Sequence, residues 1–148
     1  MIKKNILVIS LLFFLNSCGF QPIYSKNNNI NFSIEQINFT GDRELNNFIK
    51  TNLYQYKNSD NNKIFIEAKS EYNKFILTKD GKGEVTNYEL NAEIVFLIKP
   101  TNKQIKISEK KIMESNADKF EENKYEKSIK QNFASSITFK LIQELIIN

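Results

Sequence analysis

From Tyr88 to Ile98 every second residue is apolar without a break. Tyr88, Leu90, Ala92, Ile94, Phe96 and Ile98 fall in one phase, and Asn87, Glu89, Asn91 and Glu93 in the other. Successive side chains on a strand point to opposite faces, so this pattern dictates a long strand, about Glu84–Lys99, with one face in a core. Asp80-Gly81-Lys82-Gly83 stands just before it and reads as a hairpin turn, since both glycines can take positive φ. Its hairpin partner is predicted over Lys63–Leu77, with Ile64, Ile66, Ala68, Ser70 and Tyr72 on one face and Phe65, Glu67, Lys69 and Glu71 on the other. Pro100-Thr101-Asn102 makes a second turn. A further strand follows at Gln104–Met113, marked by Ile105, Ile107 and Ile112.

Two helical patterns flank this core. Leu45, Phe48, Ile49, Leu53 and Tyr56 recur at helical spacing over 42–56, with Asp42 as N-cap and Glu44 in the first turn. Tyr125, Ile129, Phe133, Ile137, Leu141 and Leu145 mark a long helix over 121–147, its stripe widened by Ala134, Ile142 and Ile146. An opening strand is predicted at Asn31–Phe39. Phe32, Ile34 and Gln36 are placed on one face, and Ser33, Glu35 and Ile37 on the other. The order β-α-β-β-β-α gives an α+β fold: a two-layer sandwich with a mainly antiparallel four-stranded sheet and two helices on one face.

The N-terminus reads differently. Lys3 and Lys4 precede an apolar run from Ile6 to Leu15, and Leu15-Asn16-Ser17-Cys18 sets a small residue before a cysteine. This is the pattern of a secretory signal with a lipoprotein cleavage site, and the run is short for a membrane span, which needs about 20 residues. Residues 1–17 are therefore expected to be a signal peptide. Residues 18–30 are the expected lipidated start and tether, and 31–148 a single domain. Acyl chains on Cys18 would anchor the chain stably, since two chains hold where one is marginal. Gly19 after the cysteine favours the outer membrane by the bacterial sorting rule.

The chain carries 21 basic and 17 acidic residues. Two of the lysines lie in the leader, so the remainder is nearly balanced, unlike a non-specific nucleic-acid binder. There is no histidine, and Cys18 is the sole cysteine. Ser-His-Asp and Cys-His arrangements and the usual zinc sites are thereby excluded. Asp42 with Glu44, and Glu121 with Glu122, are acid pairs, but each sits where a helix N-terminus favours acids. The expectation is a protein that is not an enzyme and takes no cofactor beyond the covalent lipid on Cys18.

Cys18-Gly19-Phe20-Gln21-Pro22-Ile23-Tyr24 resembles the opening of mature chains of the LptE family, the lipoprotein component of the outer-membrane lipopolysaccharide translocon. Those chains begin Cys-Gly-Phe-(Arg/Gln)-Pro-(Leu/Ile)-Tyr. Length, element order and the long last helix are similar as well. The resemblance implies a plug and assembly partner of an LptD-like β-barrel. Such a protein sits on the periplasmic side of the outer membrane or within the barrel lumen, and contacts lipopolysaccharide on its way to the surface. The residues offer two candidate contact regions for partner or substrate. One is a basic hairpin tip of Lys79 and Lys82, with Lys74 nearby. The other is a run along the fourth strand, Lys103, Lys106, Lys110 and Lys111, which reads first as protection of an edge strand and second as a basic stripe. Phe65, Val95 and Leu97 put apolar side chains in the polar phase, and the segment Phe75-Ile76-Leu77 leaves the strict alternation. Apolar character on both faces suits insertion into a barrel lumen or contact with acyl chains, and equally a twisted strand buried at one end. Architecture alone leaves open another small envelope lipoprotein, an accessory subunit of a different barrel-assembly or transport machine.

Overall fold

A computed structural model of the chain describes residues 31–57 and 62–147. The leader, Cys18 and the tether lie outside the described residues. The elements are β1 (Phe32–Gly41), α1 (Arg43–Leu53) with a 3-10 turn at Tyr54–Tyr56, β2 (Asn62–Lys79), β3 (Val85–Lys99), β4 (Lys103–Glu114) and α2 (Lys119–Ile146). The sheet runs in sequence order β1-β2-β3-β4. β2–β3 and β3–β4 are antiparallel, while β1 and β2 are parallel. A parallel pair needs a crossover, and α1 supplies it. The expected α+β order is thus found, with a sheet that is mainly antiparallel.

One face of the sheet holds the core. Ile34, Ile66, Ala68, Leu90, Ala92, Ile94, Phe96, Ile98, Ile105, Ile107 and Met113 are buried there with Leu45, Ile49 and Leu53 of α1 and Ile129, Phe133, Ala134, Ile137, Leu141 and Ile142 of α2. Each helix stripe covers the same sheet face, and among the described residues no element covers the other face. α1 starts where Asp42 accepts from the Leu45 N–H at 2.7 Å. This satisfies one of the donors that a first helical turn leaves unpaired.

Two local readings are corrected. In β1, Ile34 pairs with Ile64 but Gln36 pairs with Phe65, so Glu35 is a bulge. The extra residue reverses the phase beyond it. Ile37 and Phe39 pack against the core, and Gln36 is exposed. The second correction is the start of α2, which lies earlier than 121 because Asp118 caps it, accepting from the Phe120 and Glu121 N–H groups at 2.9 and 3.3 Å.

Candidate interaction surface

The β2–β3 hairpin ends in a turn built by Asp80. Its carbonyl accepts from the Gly83 N–H at 3.0 Å, and its Oδ1 accepts from the N–H groups of Lys82 and Glu84, both at 2.9 Å. Gly83 alone of the two glycines takes positive φ, at 87°. The turn therefore holds Lys79 and Lys82 at a fixed, exposed tip, and among the described residues neither has a carboxylate partner. Just behind them Phe75, Ile76 and Leu77 are exposed, and Ile112 on β4 is exposed in the same row as Phe75, across Glu89. The tip thus joins two unpaired cations to an apolar collar.

Lys74 does not belong to this tip. It lies on the helix-bearing face, its Nζ 2.8 Å from Glu126 and 3.2 Å from Glu122, and 4.1 Å from the Tyr88 ring centroid. Burial alone would lower its pKa, but the hydrogen bonds to Glu126 and Glu122 outweigh that and raise it. Glu122 is buried and also accepts from Lys119, the Asn116 N–H and the Ser115 hydroxyl. Burial would push its carboxyl up, yet the donors from Lys119, Asn116 and Lys74 hold it at about 2. Tyr72 donates to Glu126 at 2.9 Å, and burial, with that carboxylate beside it, raises the phenol. Lys130 completes the seam, buried 4.0 Å from the Tyr72 ring centroid and 3.0 Å from Glu44. Asp42 and Glu44 are thus a cap and an ion-pair partner, and Glu122 is the centre of a polar tie between sheet and helix. Sequence reasoning missed this seam. The only available signal was a set of charges, Glu122, Glu126 and Lys130, at helical spacing in line with the apolar stripe.

The four lysines of β4 do not form one stripe. β4 is an edge strand, and Lys106 and Lys110 point to the open face, each matched across to β3: Lys106 to Glu93 at 2.8 Å, Lys110 to Glu89 at 2.9 Å. Lys111 points to the helix side, over the Tyr125 ring at 5.8 Å, and Lys103 reaches Glu144 of α2 at 3.3 Å. The open face continues the matching with Lys99 and Glu67 at 2.8 Å. Among these pairs lie Phe65, Val95 and Leu97, the last two lining, with Asn38, Thr40, Glu67, Lys69 and Gln104, an open depression of about 450 Å³. A second open hollow, about 330 Å³, lies between β4 and the end of α2. Among the described residues there is no group of three or more His, Cys, Asp or Glu that could hold a metal, and no helix long and apolar enough to cross a membrane.

No family model matches the chain, and no curated protein sequence does. Solved structures do. The rare lipoprotein B of Shewanella oneidensis is similar with a TM-score of 0.55 at 13% identity, over 74% of this chain and 92% of that one. A lipoprotein B of Nitrosomonas europaea gives 0.52 at 11% identity, over 78% and 84%. A Caulobacter crescentus protein described as a lipoprotein gives 0.51 at 9% identity, over 75% and 88%. At such identities the likeness is one of fold: this chain has the fold seen in lipoprotein B proteins.

Proposed function

We propose that the protein is a lipid-anchored outer-membrane lipoprotein that seats against an LptD-like β-barrel, supports its assembly and helps deliver lipopolysaccharide to the cell surface. It performs no chemistry and needs no cofactor beyond the lipid on Cys18. The observation that carries the reading is the open sheet face. Its charges are matched strand to strand, by Lys99 with Glu67, Lys106 with Glu93 and Lys110 with Glu89, and apolar side chains lie between them. Charges already paired within one surface cost less to desolvate than isolated ones, so such a face suits contact with a larger protein. The hairpin tip complements it. Lys79 and Lys82 offer unpaired ammonium groups to phosphates, and Phe75, Ile76, Leu77 and Ile112 offer a surface to acyl chains. The lipoprotein signature at Cys18 and the fold shared with lipoprotein B proteins agree with this placement.

Photo-crosslinking from positions 82 and 106 in whole cells tests it. The expected products are lipopolysaccharide from position 82 and an outer-membrane barrel from position 106. A barrel recovered free of this protein after mild detergent extraction, with normal lipopolysaccharide display on depletion, would refute the proposal in favour of a different envelope machine.

A further inference from the structure

α2 changes character along its length. From Ile129 onward its buried positions are apolar, Ile129, Phe133, Ala134, Ile137, Leu141 and Ile142, apart from Lys130, paired with Glu44, and Thr138. In Lys119–Ser128 the only buried side chain is Glu122, while Phe120 and Tyr125 are 73% and 49% exposed. What holds this segment down is polar. Glu122 takes Lys74, Lys119, Ser115 and the Asn116 N–H, Glu126 takes Lys74 and Tyr72, and Lys127 lies 4.0 Å from Glu44. On the sheet beneath, Tyr72 and Lys74 are followed by the row Ile76–Tyr88–Met113. Met113 is 1% exposed and stands two residues before Ser115, which Glu122 grips.

Apolar burial and buried ion pairs resist opening differently. A stripe such as Ile129–Ile142 gives up its whole transfer free energy when it separates. A buried ion pair regains hydration when it separates, and this offsets most of its attraction. Segments with few buried apolar contacts open well below the free energy of global unfolding.

We infer that Lys119–Ser128 is a strap that opens as one unit while Ile129–Ile146 stays docked. Its opening frees Lys74 and uncovers Tyr88 and Met113, so that the apolar surface of the hairpin collar extends along the helix-bearing face. The fold thus keeps an apolar extension of the collar shut by charge.

Native-state amide exchange on the full-length protein tests the strap, with peroxide oxidation of Met113 as a second readout. Met113 is the sole methionine outside the leader, so its sulfoxide is read unambiguously. The amides of Lys124–Ser128 lie inside the helix, beyond its first turn. They are expected to exchange together, through an opening roughly tenfold or more commoner than that of Phe133–Ile142, and insensitive to low denaturant. Met113 should oxidise at the rate of that opening. Lys74→Met should speed both readouts and leave Phe133–Ile142 unchanged. Lys119→Ala, at an exposed position, should act in the same direction and serves if Lys74→Met does not fold. Exchange of the strap and oxidation of Met113 only through global unfolding would overturn the inference, as would variants that shift both halves of α2 alike.

Discussion

Gly41 ends β1 with φ at +98°, and a Cβ built there would lie 1.8 Å from the backbone oxygen of Ser70. Both backbone conformation and space demand glycine, because the chain must turn into α1 while β2 runs alongside. Gly41→Ala is expected to cost more than about 3 kcal/mol, read as a fall in the urea midpoint. Gly83→Ala meets no atom within 4 Å and bears only the positive φ, so about 1 kcal/mol is expected. Glu122 makes a prediction of another kind. Its folded pKa is depressed to about 2 from the ordinary 4.5, so its charge contributes stability above the ordinary value. That contribution is lost as pH falls from about 4.5 toward 2, and for this buried group it amounts to as much as about 3 kcal/mol. It measures charged against protonated Glu122, not the net worth of burying the pair. Amide exchange at Lys124–Ser128 should accelerate through that window, and Glu122→Gln should abolish the pH dependence.

At the scale of elements, α2 shows where stability resides. Leu141 is fully buried against the sheet and Phe139 is 51% exposed on the opposite side of the same helix. Leu141→Ala should cost about 2–5 kcal/mol and Phe139→Ala less than about 1, measured as paired denaturation midpoints. These elements were legible because each follows one period. β3 alternates cleanly, the Asp80–Gly83 turn carries its glycines, and Asp42 caps α1 as its side chain dictates. What was illegible breaks a period by one residue or depends on a distant partner. The bulge at Glu35 leaves no mark beyond imperfect alternation. Asp118 with Glu121 three residues on was a readable helix start, hidden by the apolar stripe that begins later. Lys74 looked like part of a basic tip because only the fold brings Glu122 and Glu126, some fifty residues away, to its ammonium group.

At the scale of the whole molecule, the described residues form a sheet with one sealed face and one uncovered face, and the lysines divide between paired and unpaired. Strand lysines away from the hairpin tip have partners. Lys74 meets acids of α2, Lys106 and Lys110 meet β3, and Lys103 meets Glu144. The two at the hairpin tip do not. If the tip engages lipopolysaccharide phosphates, Lys79 and Lys82 act as point charges in contact with solvent, and the fold does not depend on them. The double variant Lys79→Ala, Lys82→Ala should keep its urea midpoint within about 0.5 kcal/mol of the parent. Its crosslinking to lipopolysaccharide from position 76 on the collar should fall several-fold, and the loss should be mimicked by raising salt, since exposed charges are screened over about 8 Å at physiological ionic strength. Lys74→Ala should do the reverse, loosening the start of α2 while leaving the tip's binding intact. Equal crosslinking by the parent and the double variant would remove the tip from the substrate path and shift the proposed contacts to the matched-charge face.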